Sequence, residues 1–313
     1  QCIPIKEPPK PTGSFNVGTQ SFELTDTNRL EWFTKDDPDD LRKIMIQAWY
    51  PTSDNQGERE NYIDYGKIRI KALAEQFDYK PFIFKGLIKV KSNSFSNAKA
   101  DNSKGPYPLI IFSHGLGGNR TQNTVIMEEL ASHGYVVIAI EHAYDANISI
   151  FNNGDIADYR SGINYERKDE GKDLTPEEFW SIRLPQLETR VADVNFLINQ
   201  IENNQLPTNI QNIIDLNNIG ILGHSFGGAT SIYSSYLDDR IDACLNLDGW
   251  MVVVPEKIIS DGIQQDFMYI GQDKWWDELN YKKLDQFIES NQSSSKILIP
   301  GTTHYDFSDM PHL

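Results

Sequence analysis

From Phe22 onward, short runs rich in β-branched and aromatic residues alternate with longer stretches whose apolar positions recur every three or four residues. That rhythm predicts a mostly parallel sheet covered by helices. Residues 42–51, RKIMIQAWYP, read as an early strand, and YPLIIFSHG (107–115) and YVVIAIEH (135–142) are nearly unbroken apolar runs. Such runs belong to strands with both faces covered. NIGILGHS, ACLNLD, DFMYIG and KILIP continue the series toward the C-terminus.

Between the strands, TQNTVIMEELASHG reads as a helix closed by Gly134. A second helix starts at Thr175, where Glu178 three positions later completes a capping box and Pro176 takes the first helical position. Leu187, Val191, Val194, Leu197, Ile198 and Ile201 form its core stripe, and Pro185 is expected to kink or split it. Residues 90–106 read as a polar linker or surface loop, and a long polar stretch, 143–174, precedes the second helix. The Pro-rich start, residues 1–17, reads as a leader or tether, and residues 18–313 as one α/β domain without internal repeats.

With 313 residues, 39% of them hydrophobic, the chain has material for a sizeable core. Twenty-nine basic against 45 acidic residues leave a formal charge of −16, which argues against nucleic-acid partners. The two cysteines, Cys2 and Cys244, are too few for a disulfide framework and lack zinc-binding spacing. Cys244 reads as a core residue. The chain begins at Gln1 without an initiator methionine, which fits a leader removed or not included, and Cys2 then has two readings, a lipid-anchor site or an ordinary cysteine. A secreted or cell-envelope location is the corresponding expectation. The acidic run DDPDD at 36–40 reads as a solvated loop, because it lacks the spaced ligands of a calcium loop.

Candidate chemistry begins at Gly223-His-Ser225-Phe-Gly227, a G-x-S-x-G placed between an apolar strand and a helical pattern. A serine on such a sharp turn stands above the sheet, with the first helical N–H groups facing whatever it attacks. FSHGLGGNR (112–120) follows a strand and supplies a glycine-rich loop for oxyanion binding. The backbone N–H groups of Leu116 and Phe226 are the candidate donors. Only His304 and His312 follow the nucleophile, and His304 lies just beyond a strand, so it is the candidate base. Asp248 and Asp273 each end or follow a strand, and spacing does not separate them as the acid. His142, at a strand end, is a candidate substrate contact, while Trp250 and Tyr305 adjoin catalytic positions and are candidate pocket walls. Phe307 and Met310 are expected to pack inward and hold the loop of His304.

The blocks PLIIFSHGLGGNRT, ELASHGYVVIAIEH, IGILGHSFGGAT, LNLDGWM and GTTHYDFSDM, in this order, resemble the platelet-activating-factor acetylhydrolases, the lipoprotein-associated phospholipases and their microbial relatives. The resemblance spans roughly residues 15–310. It implies an α/β-hydrolase fold and a serine esterase, free of metal and cofactor, that releases short or oxidised sn-2 acyl groups from glycerophospholipids. It also implies Asp248 as the acid, His304 as the base, and Leu116 and Phe226 as oxyanion donors. A cutinase-like or dienelactone-hydrolase-like esterase acting on other esters is the alternative. Residues 68–90 fall where the phospholipases carry a membrane-contacting region, so this stretch is either a weak interfacial face or a helix and loop packed on the domain.

Overall fold

The computed structural model describes residues 6–34, 36–160 and 175–312. Its centre is a pair of parallel strands, β5 (Tyr107–Ser113) and β6 (Val136–His142). Successive side chains on a strand point to opposite faces. Leu109, Ile111, Val136, Ile138 and Ile140 therefore enter one core, and Phe112, Val137 and Ala139 enter a second core on the other side. Two covered faces leave no position for a polar alternate, which explains the apolar runs.

Around this pair a sheet of ten strands is built among the described residues. The other strands are β1 (Asn16–Leu30), β2 (Leu41–Thr52), β3 (Arg59–Asn61), β4 (Lys91–Ser96), β9 (Ile214–His224), β10 (Ala243–Leu247), β11 (Asp266–Gln272) and β12 (Ser294–Ile299). Their order is β12-β11-β10-β9-β5-β6-β2-β1-β4-β3, and β7 (Ile148–Ile150) with β8 (Ile156–Asp158) forms a separate hairpin. From β12 to β6 every neighbouring pair is parallel, whereas β2 runs antiparallel to β6 and β1. The chain leaves β5 toward β6 on one side and returns to β9 on the other, so the order reverses beside β5. Crevices at the carboxyl ends of strands at such a reversal are where open α/β sheets hold ligands.

The first face is covered by the helices Pro176–Glu202, Phe226–Leu237, Glu256–Asp261 and Glu278–Ser290, and the second by α2 (Thr124–Ser132). Pro185 does not split its helix, which runs unbroken from Pro176 to Glu202. Leu187, Val194, Leu197, Ile198 and Ile201 all bury against the sheet, and packing on that scale outweighs the proline cost of about 3 kcal/mol.

Three stretches differ from their sequence reading. Residues 91–96 form β4 instead of a loop, because Ser92 and Ser94 turn inward and the Ser94 hydroxyl donates to buried Glu128 at 2.6 Å. The start of the 143–174 stretch is buried through Phe151 and forms the turn before β7, while residues 161–174 lie outside the described residues. The Pro-rich segment is attached from Pro9 onward: Asn93 donates to the Pro9 carbonyl at 2.8 Å, and the Gly13 and Phe15 N–H groups donate to Ser132 at 3.0 Å. Cys2 lies outside the described residues.

Residues 66–89 form a cap over one edge of the sheet, made of α1 (Gly66–Gln76) and a 3-10 segment, Pro81–Lys89. Tyr62, Ile70, Ala74, Phe84, Leu87 and Val90 give this cap its own small core.

Candidate active site

Ser225 sits at the turn between β9 and the helix Phe226–Leu237, with φ 56° and ψ −119°. A positive φ is strained for a residue with a side chain, and the surroundings must hold it there. The Ser225 N–H donates to the Leu247 carbonyl at 3.1 Å, while its own carbonyl accepts from Gly228 and Trp250, each at 2.9 Å. The flanking glycines are steric necessities: a Cβ on Gly223 would lie 2.0 Å from the Gly227 carbonyl oxygen, and one on Gly227 would lie 2.0 Å from that of Ser113.

In-register pairing brings the other pieces beside this turn. Leu247 pairs with His224, so Asp248 emerges next to Ser225, and Gln272 pairs with Ile299, just ahead of the loop that carries His304. His304 Nδ1 stands 2.6 Å from Asp248 Oδ2. The Asp248 carboxylate is fully buried and also accepts from the Gln272 N–H (3.0 Å), Gln272 Nε2 (2.8 Å), Trp275 Nε1 (2.9 Å) and the Tyr269 hydroxyl (3.3 Å). Burial opposes the charged form, but the bond and charge of His304, with the donors Trp275 and Gln272, outweigh it and keep the carboxyl below its ordinary range.

The loop after β5 closes against the serine, since a Cβ on Gly115 would come 3.2 Å from Ser225 Cβ. Among the described residues neither the Leu116 nor the Phe226 N–H has an acceptor. Ser225, His304, Leu116 and Gly117 line one cavity of about 260 Å³, whose apolar side comes from the cap through Leu73, Phe77, Ile83, Phe84 and Leu87. Tyr305 lines it as well. Geometrically this is a hydroxyl and an imidazole braced by a buried carboxylate, with the unengaged Leu116 N–H on the same cavity and the unengaged Phe226 N–H directly after the serine. Such a set is suited to acyl transfer. Among the described residues no three His, Cys, Asp or Glu side chains are placed to hold a metal ion.

Two expected pocket residues lie elsewhere. His142 is fully buried between Asp193 Oδ2 (2.9 Å from Nδ1) and Ser113 Oγ (3.0 Å from Nε2), away from the cavity. Burial lowers its pKa to about 4, against the opposing bond from Asp193. Its side chain turns toward the helix Pro176–Glu202 that covers the sheet. Trp250 packs against Phe226 and Phe179, with ring centroids 6.1 Å away in both cases, behind the elbow and off the cavity. Phe307 is buried as expected, in the second core, whereas Met310 is 46% exposed at the cavity rim. The loop has another anchor in its place: Asp309 is buried and accepts from the Tyr62 hydroxyl at 2.9 Å and the Val125 N–H at 3.1 Å.

The model of the family described as platelet-activating factor acetylhydrolase, isoform II, matches residues 4–313. The chain belongs to the platelet-activating factor acetylhydrolase family. It is 28% identical over 325 residues to the platelet-activating factor acetylhydrolase of Cavia porcellus, covering 96% of this chain and 68% of that one. To a probable 1-alkyl-2-acetylglycerophosphocholine esterase of Arthroderma benhamiae it is 27% identical, covering 97% of this chain and 76% of the relative. In fold it is similar to a solved ferulic acid esterase of Streptomyces cinnamoneus, with a TM-score of 0.78 at 24% identity over 98% of this chain and 80% of that one.

In this acetylhydrolase-family chain several residues around the site carry no motif of their own. Gln272 and Trp275 reach Asp248 from the turn after β11, and Tyr62 reaches Asp309 from the strand edge before the cap. The pair of adjacent tryptophans in QDKWWDE was the one visible signal, since a buried indole N–H needs an acceptor. No helix among the described residues is long and apolar enough to cross a membrane.

Proposed function

We propose that this protein is a serine carboxylic-ester hydrolase that removes short or oxidised sn-2 acyl groups from glycerophospholipids. Ser225 Oγ attacks the acyl carbon, and His304 takes its proton and returns it to the leaving alcohol. Asp248 orients His304 and stabilises its imidazolium, while the Leu116 and Phe226 N–H groups receive the oxyanion. The observation that carries this reading is the 2.6 Å bond between His304 and buried Asp248, with His304, Ser225 and Leu116 lining one cavity. Family membership and the names of the relatives support the phospholipid substrate.

The cavity, about 260 Å³, falls just below the ~300 Å³ at which pockets begin to engulf drug-sized ligands. It suits an acetyl or short acyl group whose glycerol and long chain remain outside. Tyr65, Ile68, Tyr79, Phe82 and Ile88 on the cap are exposed, with Lys67, Lys80, Lys85 and Lys89 in the same segment. This face is proposed to give weak contact with a lipid surface. Trp276, 70% exposed with its ring 5.5 Å from that of His304, favours a second reading, bulky or aryl esters unrelated to phospholipids.

The test is turnover by wild type and Ser225→Ala on p-nitrophenyl acetate and on phosphatidylcholines with acetyl, butyryl, oxidised and long sn-2 chains. Expected are loss of all turnover in Ser225→Ala and a preference for the short and oxidised lipids. Undiminished activity in the variant would overturn the serine mechanism, and turnover of simple esters alone would favour the second reading.

A further inference from the structure

Gln122 lies in the turn between the glycine loop and α2, and its side chain bridges two parts of the site. Its Oε1 accepts from the Gly115 N–H at 3.1 Å, one residue before Leu116. With the oxygen so engaged, the amide nitrogen faces His224 Nδ1, 2.6 Å away. That fixes the ring: Nδ1 accepts, and Nε2 carries the proton and donates to the His304 carbonyl at 3.1 Å. Burial, reinforced by the neighbouring His304, lowers the His224 pKa to about 3, so the ring stays neutral at working pH and the chain of bonds keeps one direction.

The surroundings are shaped for this bridge. A Cβ on Gly118 would lie 2.1 Å from Gln122 Oε1, and one on Gly115 would lie 3.0 Å from His224 Nδ1. The backbone completes it, because the Gln122 carbonyl accepts from the Asp309 N–H at 3.0 Å, and Asn123 Nδ2 donates to the Phe307 carbonyl at 2.8 Å. The glycine loop, the serine turn and the loop of His304 are thus joined through Gln122 and His224, although they arise from distant parts of the chain.

We infer that Gln122, acting through neutral His224, is a positioning residue that sets the Leu116 N–H and His304 relative to Ser225. The inference rests on the serine mechanism proposed above. Neither group touches the reacting atoms. Their effect is on geometry, and displacement of reacting groups by about 1 Å costs on the order of 100-fold in rate.

The experiment measures kcat and KM on p-nitrophenyl acetate for Gln122→Leu, His224→Leu and the double variant, with Ser225→Ala as control and near-ultraviolet circular dichroism as the fold check. Each single variant is expected to lower kcat about 30- to 100-fold with KM changed less than about threefold, and the double variant to fall little further, because the two side chains act as one unit. Unchanged kcat, a change confined to KM, or losses that multiply in the double variant would overturn the inference. Full activity in Ser225→Ala would instead overturn the mechanism beneath it. If Gln122→Leu does not fold, His224→Gln and His224→Asn carry the test. Glutamine sets its amide nitrogen where Nε2 stood and keeps the bond to His304, whereas asparagine sets it where Nδ1 stood and loses that bond. His224→Gln should retain the higher kcat, and the reverse order would overturn the inference.

Discussion

Trp275 Nε1 donates to Asp248 Oδ1 at 2.9 Å, on the opposite oxygen from the one that meets His304. The histidine shares Oδ2 with Gln272 Nε2, and the indole bond favours the charged carboxylate. Hydrogen bonds to charged groups contribute about 1.5–3 kcal/mol, and 1.4 kcal/mol is roughly a factor of ten. Trp275→Phe keeps the ring against Trp276 and removes this donor. Its kcat on a small ester should fall about tenfold with KM little changed; an unaltered kcat would mean that the other donors suffice.

Asp248 and Asp273 are equivalent by spacing, yet only Asp248 reaches His304. Asp248→Asn keeps the shape but reverses the hydrogen-bond sense toward Nδ1, so kcat should drop by about 10⁴. Asp273→Asn should stay within about threefold of wild type. Parallel steady-state kinetics distinguish the two, and a collapse in the second variant alone would reassign the acid.

Asp309 couples the loop of the base to pH. Burial, with a smaller push from the charge of Glu128, raises its pKa to about 8 despite the bonds from Tyr62 and Val125. In the unfolded chain it titrates near ~4. The stabilisation is whole below ~4, declines as the unfolded state alone loses the proton, and is gone once the folded carboxyl ionises near 8. Asp309→Asn stays neutral and retains an acceptor oxygen. Its melting temperature should therefore fall less than that of wild type between pH 5 and pH 8; an identical pH slope in both proteins would show that Asp309 does not titrate in this window.

Leu73 contributes to the apolar wall of the cavity. Leu73→Trp should shorten the space for an acyl chain while leaving the acetyl position open. On this account kcat/KM for butyryl relative to acetyl ester falls about tenfold, within the 1–3 kcal/mol typical of a methylene-scale misfit. Equal effects on both esters would place the acyl chain elsewhere.

Ser225 and its glycines were legible because their constraint is local. A few residues must turn a strand into a helix, and the Gly223 clash with Gly227 lies within the same window, although the Gly227 clash comes from Ser113 on the neighbouring strand. Chain order singled out His304, which the structure places against Asp248 and which is the proposed base. His142 and Trp250 were misplaced because adjacency in sequence to a strand end or an acid says nothing about the direction of a side chain, and both turn into packing. A split at Pro185 does not occur, since the local penalty of a proline ignores the apolar stripe that holds its helix on the sheet.

By itself the sequence determined the α/β alternation, the two buried central strands and the strained serine turn, all consequences of short-range sterics and of periodicity. Tertiary structure alone decided which strands lie side by side. That lateral order put Asp248 rather than Asp273 against His304, brought Gln272 and Trp275 to the carboxylate, and joined Gln122 to His224. A strand's own residues state which faces are apolar, but its neighbours are chosen by the packing of the whole sheet, so contacts across strand ends cannot be read from any one segment.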